Sequence, residues 1–586
     1  MHIKKAIYLS LVALIMSSCG GEDNNHEEFK EGNGGVFYGG VFRSNEVEDF
    51  HSLFPLSVTE VAADHITKQI YEGLIKQSQE DLTILPSLAE QLDFSNDASV
   101  WTFYLHKGVK FHDDECFPDG KGREVTANDF KYCFDRLCTA TPENQYFGNT
   151  FKNRVKGADE YFQSTIDKKP LPGGVSGVEV IDNYTLRITL VQPFSGFLNI
   201  LSTQGCSVYP KEAYEKYGVD MRTKCVGTGP FKLKSCKEGE SVVLERNPDY
   251  WNSDEMGNKL PYLDGLKFSF IKEKKSEFLE FKRGNLDMIF QLPVEMISEI
   301  LGEFDEAKQV NAPFEMQVVP AMSTFFFGFQ HTSDIFSKKD VRLAFNYAID
   351  REKIVENILQ GEGIPGIYGI VPPAFKGYHN KELNGFTFDV EKARKLLAKG
   401  GYPNGKGFPK ITLQTNSGGG DRNIQVCEAV QKMLKENLNI DVDVNVVPLA
   451  EHLERIESGK TLFWKSHWIA DYPDPETFLT LLSGRHIPKN MMDKPYLNSM
   501  RYKSEKFDTL FANAMKELND RKRMKLYLEA DQIGIDDGAV IPVFYDENYR
   551  LLKPYVKNFP ANAMEYRDMA RVYLDKTKKE KAVAKK

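Results

Sequence analysis

The stretch WIADYPDP, residues 468–475, carries two carboxylates three positions apart, and they invite different readings. Asp474 immediately precedes Pro475. A short acidic acceptor followed by proline, whose missing N–H costs nothing in a first turn, is a helix start. Asp471 falls outside that helix, so capping does not explain it. It remains a turn residue, a partner for a nearby cation, or a group that meets something outside the chain. Trp468 is either ordinary core or the wall of a binding surface. Upstream, Lys465 and Arg455 supply positive charge, and Lys465 also reads as a plainly solvated lysine.

Other stretches offer less chemistry. HDDE at 112–115 could mimic a metal site, but no C-x₂-C pair exists anywhere in the chain and no metal is expected. Gly227-Thr-Gly229 runs into Pro230 and strand-like residues, not into a helix, so it is no phosphate-cradling loop. SGGG at 417–420 reads as a flexible loop. No H-E-x-x-H or G-x-S-x-G is present, which removes the commonest hydrolase signatures. Besides Cys19 there are seven cysteines: Cys116, Cys133, Cys138, Cys206, Cys225, Cys236 and Cys427. An odd number leaves at least one thiol unpaired, and the pairing of the rest is open.

The elements that must position these groups are legible in outline. Alternation of apolar and polar residues marks strands at 101–105, 186–190 and 242–245, separated by Gly-, Pro- and Asn-containing turns. This suggests a mostly antiparallel or mixed sheet in the first half. In the second half, Ser337 and Asp340 form a weak capping box ahead of Val341, Ala344, Phe345 and Ala348 at helical spacing. Residues 411–415, 423–436 and 442–446 read as strand, amphipathic helix and strand, a unit with a right-handed parallel crossover. The chain is therefore α/β, with a candidate boundary near residues 319–323.

Composition bounds the rest. At 586 residues the chain is too long for one compact domain. Hydrophobic residues at 41% and aromatics at 12% build cores, which excludes disorder as the main state. A net charge of -9 argues against coating nucleic acid. A mean hydropathy of -0.43, with one apolar run at the start, excludes a polytopic membrane protein.

That run is informative. Lys4 and Lys5 precede apolar residues 6–16, too short to span a bilayer but right for a signal peptide. MSSC at 16–19 resembles the lipobox of bacterial lipoproteins, with Met in place of the usual Leu. The resemblance implies cleavage of residues 1–18 and lipidation of Cys19, whose acyl chains anchor the chain to a membrane. Residues 19–35, rich in Gly, Asn and Glu, are expected to be a flexible tether. Losing two lysines and no acids takes the mature net charge from -9 to -11. Residues 576–586, with six lysines and one glutamate, read as a frayed basic tail.

Read in order, many segments resemble the extracellular solute-binding proteins of family 5, which serve peptide and nickel ABC importers. They include QIYEGLI (69–75), LPSLAEQLD (85–93), WTFYLHKGVKFHDDE (101–115), VTANDFKYCFDRLC (125–138) and VGTGPFKLK (226–234). In the second half they include KDVRLAFNYAIDREKIVE (339–356), IADYPDPETFL (469–479) and IPVFYDENYRLLKPYVK (541–557). The match runs from about residue 36 to 575. An insertion at 116–123 is the main departure.

The resemblance implies a two-lobed periplasmic-binding-protein clamshell of type II-like form. Residues 36–75, 175–320 and 546–575 would form a discontinuous first lobe, 76–174 an extra subdomain, and 321–545 the second lobe. Hinges would sit near residues 320–321 and 546–547. It further implies that Asp471 receives the α-ammonium of a bound peptide, with Trp468 beside it. A buried ammonium loses its hydration, which only a charged hydrogen-bonding partner offsets. Lys465 stands where some oligopeptide binders carry an arginine for the peptide carboxylate, with Arg455 a second candidate. Residues 58–65, Tyr146, Tyr545 and Asp546 lie near positions lining the family's cleft, although Asp546 often has an aromatic counterpart. The expected partners are a peptide, an ABC permease with its ATPase, and a membrane reached through Cys19. No cofactor, nucleic acid or enzymatic activity is expected, and the chain is expected to be monomeric. A nickel chelate or an oligosaccharide as the solute, and an exported hydrolase, are the competing readings.

Overall fold

The computed structural model describes residues 29–579 apart from 294–295, 298–299, 301, 303–312, 418–420, 489–493 and 496. The signal segment, Cys19 and residues 580–586 lie outside the described residues. The expected tether ends before residue 35, because Lys30–Glu31 pairs antiparallel with Phe37–Tyr38. Distant Asn258 fixes the turn between them, its Oδ1 accepting from Asn33 N at 2.8 Å. The first residues of the expected basic tail are ordered. Residues 576–579 form a helical turn started by the Asp575 carboxylate, which accepts from Thr577 N at 3.0 Å.

Two four-stranded sheets organise the first half. One runs Phe231–Lys237, Ser241–Arg246, Gly265–Ser269, Val41–Asn45, and only its last pair is parallel. The other runs Ala89–Phe94, Val100–Leu105, Thr185–Thr189, Val178–Asp182 and is antiparallel throughout. The 100–105 strand buries Trp101, Phe103 and Leu105 on one face, as its alternation requires. The second sheet corrects the expected 76–174 subdomain. Strands 178–182 and 185–189 hydrogen-bond into it, so that unit reaches at least residue 189.

The second half is built on a mixed sheet ordered Met288–Phe290, Val540–Leu552, Glu315–Phe329, Phe463–Ile469, Ile411–Ser417, Val442–Pro448. The expected crossover unit is present: strands 411–417 and 442–448 pair in parallel, joined by the helix Asp421–Leu438. The capping box is not. The helix Lys339–Ala348 has Lys338 at its N-cap and no side-chain cap, because Asp340 is drawn to Lys399 at 3.0 Å. Phe325, Phe327, Phe329, Phe345 and Phe463 pack its core.

The two longest strands join the halves. Residues 315–320 pair with 547–552 beside Met288–Phe290, and residues 324–328 pair with 540–545 beside the 463–469 strand. The register shifts between Pro320 and Thr324. The architecture is a two-lobed α/β clamshell. A buried charge cluster ties the returning segment to the start of the first half. Arg567 bridges Glu46 at 2.6 Å, His65 meets Glu46 at 3.1 Å, and Arg550 lies 3.5 Å from Glu565.

Gly328 sits opposite Trp464 in the pairing of 315–329 with 463–469, and the indole covers its backbone. A Cβ there would lie 2.7 Å from the ring. Gly328→Val should therefore cost about 1–3 kcal/mol through overpacking, read as a lower urea midpoint at unchanged slope.

Candidate functional site

Between the halves lies a cleft of about 790 Å³, lined by Thr59, Asn149 and Arg154 from one side and by Asp471, Thr477 and Arg485 from the other. A larger hollow of about 920 Å³ is lined entirely by residues 140–171 of the first half and brings no second-half residue to it. The two halves touch beside the cleft, where Ser195 N donates to Met515 O at 3.3 Å.

The 463–469 strand leads into the cleft and ends at Asp471 through a tight turn. Thr477 Oγ1 accepts from both Trp468 Nε1 and Asp471 N at 3.3 Å, locking the turn to the helix Glu476–Leu479. Asp474 starts that helix as its sequence suggests. It accepts from Glu476 N at 3.0 Å, and its other oxygen meets Arg523 at 3.1 Å. Glu476 is also spent, holding the Tyr472 hydroxyl and Arg485, the latter at 3.6 Å. Asp471 is different. Among the described residues no cation lies within ion-pair distance of it. It lines the cleft and is exposed to solvent. Loss of hydration there, with Glu476 nearby, raises its pKa to about 6, while Arg154 pulls the other way. Tyr146, packed over Gly205, lies within electrostatic reach of the same carboxylate.

Alternation along the strand separates the other candidates. Lys465 and Trp468 are three residues apart and so leave opposite faces of the sheet. Trp468 packs against the core shared by the halves, whereas Lys465 is buried over Phe325, donating to Asn416 Oδ1 at 3.1 Å. The solvated reading of Lys465 is thus corrected. Burial lowers its pKa, and no carboxylate among the described residues pairs with it. Its neighbour is Asp546, in a knot formed by three adjacent strands. Ser323 Oγ donates to Asp546 Oδ2 at 2.6 Å, and His467 Nε2 lies 2.7 Å from the same oxygen. Arg422 approaches at 3.8 Å.

Tyr545 is buried, its hydroxyl donating to Gly369 O at 2.9 Å and accepting from Tyr368 N at 3.1 Å. Arg455 pairs with Glu451 at 2.7 Å on an exposed helix face. Within residues 58–65, Thr59 lines the cleft, whereas His65 is buried against Glu46. His112 is likewise spent, its Nε2 on Gly229 O at 2.9 Å. Sequence reasoning missed Arg154, Arg485, Arg422 and His467. Only His467 had a signal, its alternation with Lys465 in one strand.

Burial pushes the Asp546 pKa upward, but His467, Ser323 and Arg422 together hold it at about 2, below the unfolded value near 3.8. Its contribution is therefore present above pH 4 and lost as pH falls toward 2. Asp546→Asn should lower stability at pH 7 by about 1–3 kcal/mol. The gap between variant and wild type should narrow on acidification from pH 4 to 2, measured by urea unfolding at each pH.

The model for bacterial extracellular solute-binding proteins, family 5 Middle, matches residues 83–488, well over half the chain. The periplasmic oligopeptide-binding protein OppA of Escherichia coli (strain K12) is 29% identical over 523 residues, spanning 88% of this chain and 89% of that protein. Heme-binding protein A of Haemophilus influenzae (strain ATCC 51907 / DSM 11121 / KW20 / Rd) is 28% identical over 508 residues, spanning 85% and 86%. Among solved structures, the ABC transporter-associated periplasmic binding protein DppA from Helicobacter pylori, in complex with the peptide STSA, superposes with a TM-score of 0.74 at 25% identity. It covers 92% of this chain and 99% of its own. These relatives are binding proteins, not enzymes. The matched region holds Arg154, Asp471 and the 463–469 strand that leads to it, and the chain belongs to the bacterial extracellular solute-binding proteins of family 5.

Proposed function

We propose that this protein is the lipid-anchored, peptide-capturing component of an ABC importer, acting outside the cytoplasmic membrane. Cys19 holds the anchor. The halves close on a peptide by bending where the 315–329 and 540–552 strands lose register, near residues 320–324 and 546–547. The closed, monomeric form delivers its cargo to a permease and its ATPase.

The observation that carries this reading is Asp471, a carboxylate in a two-sided cleft with no ion-pair partner among the described residues. A peptide's α-ammonium supplies that cation and returns the hydration energy lost in the crevice. The peptide backbone pairs with main-chain groups, and water adapts the side-chain spaces, giving broad sequence tolerance. Lys465 does not line that cleft and already donates to Asn416, so the C-terminal end of the peptide is not assigned to it. Peptide-binding relatives support the same choice of solute. A nickel chelate or an oligosaccharide carries no primary ammonium and would leave Asp471 unmatched.

A thermal-shift screen of di- to pentapeptides, with sugars and nickel as controls, tests this. At 100 times its Kd a ligand of the folded state adds about 2.7 kcal/mol. Free-amine peptides should raise Tm, and their N-acetylated forms should not. Equal shifts from both would remove Asp471 from the binding role. Asp471→Asn should abolish the shift while leaving the unliganded Tm unchanged or slightly higher, because its raised pKa makes ionisation unfavourable to folding at neutral pH.

The ammonium pairs with ionised Asp471, whose pKa in the empty cleft is about 6. Affinity should therefore hold near pH 7 and fall up to about tenfold per unit below pH 6, by titration calorimetry.

A further inference from the structure

The cleft that offers Asp471 an unmet need for a cation also holds the opposite need. Arg154 lines it from the first half. Its Nη1 donates to Asn149 O at 3.0 Å and Thr150 O at 3.2 Å, and its guanidinium rests 5.4 Å from the centre of the Phe194 ring. Those contacts aim the group without neutralising it. Nε and Nη2 carry no hydrogen bond among the described residues, and no carboxylate there lies within ion-pair distance. The cleft's other guanidinium, Arg485, is already matched by Glu476 at 3.6 Å. Asp471 and Arg154 feel each other's field, yet they stand too far apart to pair.

A fixed anion and a fixed cation, unpaired and on facing walls, suit a ligand with the reverse dipole. Pre-orientation by two carbonyls and a ring means little further ordering is needed when an anion arrives. A guanidinium also holds a carboxylate through two parallel hydrogen bonds, which fixes direction as well as charge. Resting on the peptide reading above, we propose that Arg154 binds the side-chain carboxylate of an acidic residue at the peptide's first position, so that the protein prefers Asp- or Glu-first peptides. The same charge repels a Lys or Arg at that position, so discrimination comes from exclusion as well as attraction. The C-terminal carboxylate is a second source of the same chemistry only in a dipeptide, where it too lies close to the ammonium.

The test is titration calorimetry on the lipid-free mature protein with matched Glu-, Ala- and Lys-first peptides of two to five residues. Glu-first peptides should bind roughly tenfold or more tightly than Ala-first ones, and Lys-first peptides most weakly. Arg154→Gln should bring the Glu-first to Ala-first affinity ratio to within about twofold of one, and Arg154→Lys should restore part of it. Melting temperatures of both variants check that they are folded. A ratio of one in the wild type, or a ratio unchanged in Arg154→Gln, overturns the assignment. So does an effect confined to dipeptides, which would place the C-terminal carboxylate on Arg154. If no peptide of any series binds, the peptide reading itself fails.

Discussion

The pairing of acids with cations and hydrogen-bond donors organises the cleft side of the second half, and Asp471, exposed at the cleft, has no ion-pair partner among the described residues. The acids around Asp471 are all spent. Asp474 starts a helix and meets Arg523, Glu476 holds Tyr472 and Arg485, and Asp546 sits between Ser323 and His467. Each pairing fixes a piece of backbone, and among the described residues they leave Asp471 without an ion-pair partner.

The sheet makes the arrangement possible. Strand 463–469 is held between 315–329 and 411–417, so the turn that presents Asp471 hangs from a rigid support. Its pleat sends Trp468 toward the core shared by the halves and Lys465 toward the underside. Positions three apart in one strand therefore serve different surroundings. The two long strands pass from one half to the other, and their register shifts between Pro320 and Thr324 and again between Phe325 and Phe326.

Charge in the first half works differently. Glu46, His65, Arg550, Glu565 and Arg567 lie buried together and join residues up to 521 positions apart. Removing one member would strand the others without water, so the cluster specifies how the returning segment docks more than it adds net stability. In the cleft, by contrast, Asp471 and Arg154 have no ion-pair partner among the described residues.

Local pattern was enough to determine much of this protein. Alternation placed the strands at 101–105, 186–190 and 242–245, the strand–helix–strand order fixed the crossover at 411–448, and Asp-Pro marked the helix after residue 475. Ordered motifs disclosed the family and singled out Asp471, because a carboxylate that caps nothing is visible in a string of letters. Tertiary structure decided what depends on the path of the chain. It carried 178–189 into the sheet of 89–105, buried Lys465, spent the Tyr545 hydroxyl on Gly369, and set Arg154 opposite an aspartate more than 300 residues away. The reason is physical: periodicity reports which side of a strand or helix is apolar within a few residues. Hydration, counter-ions and facing walls are set by groups that meet only when distant strands pair.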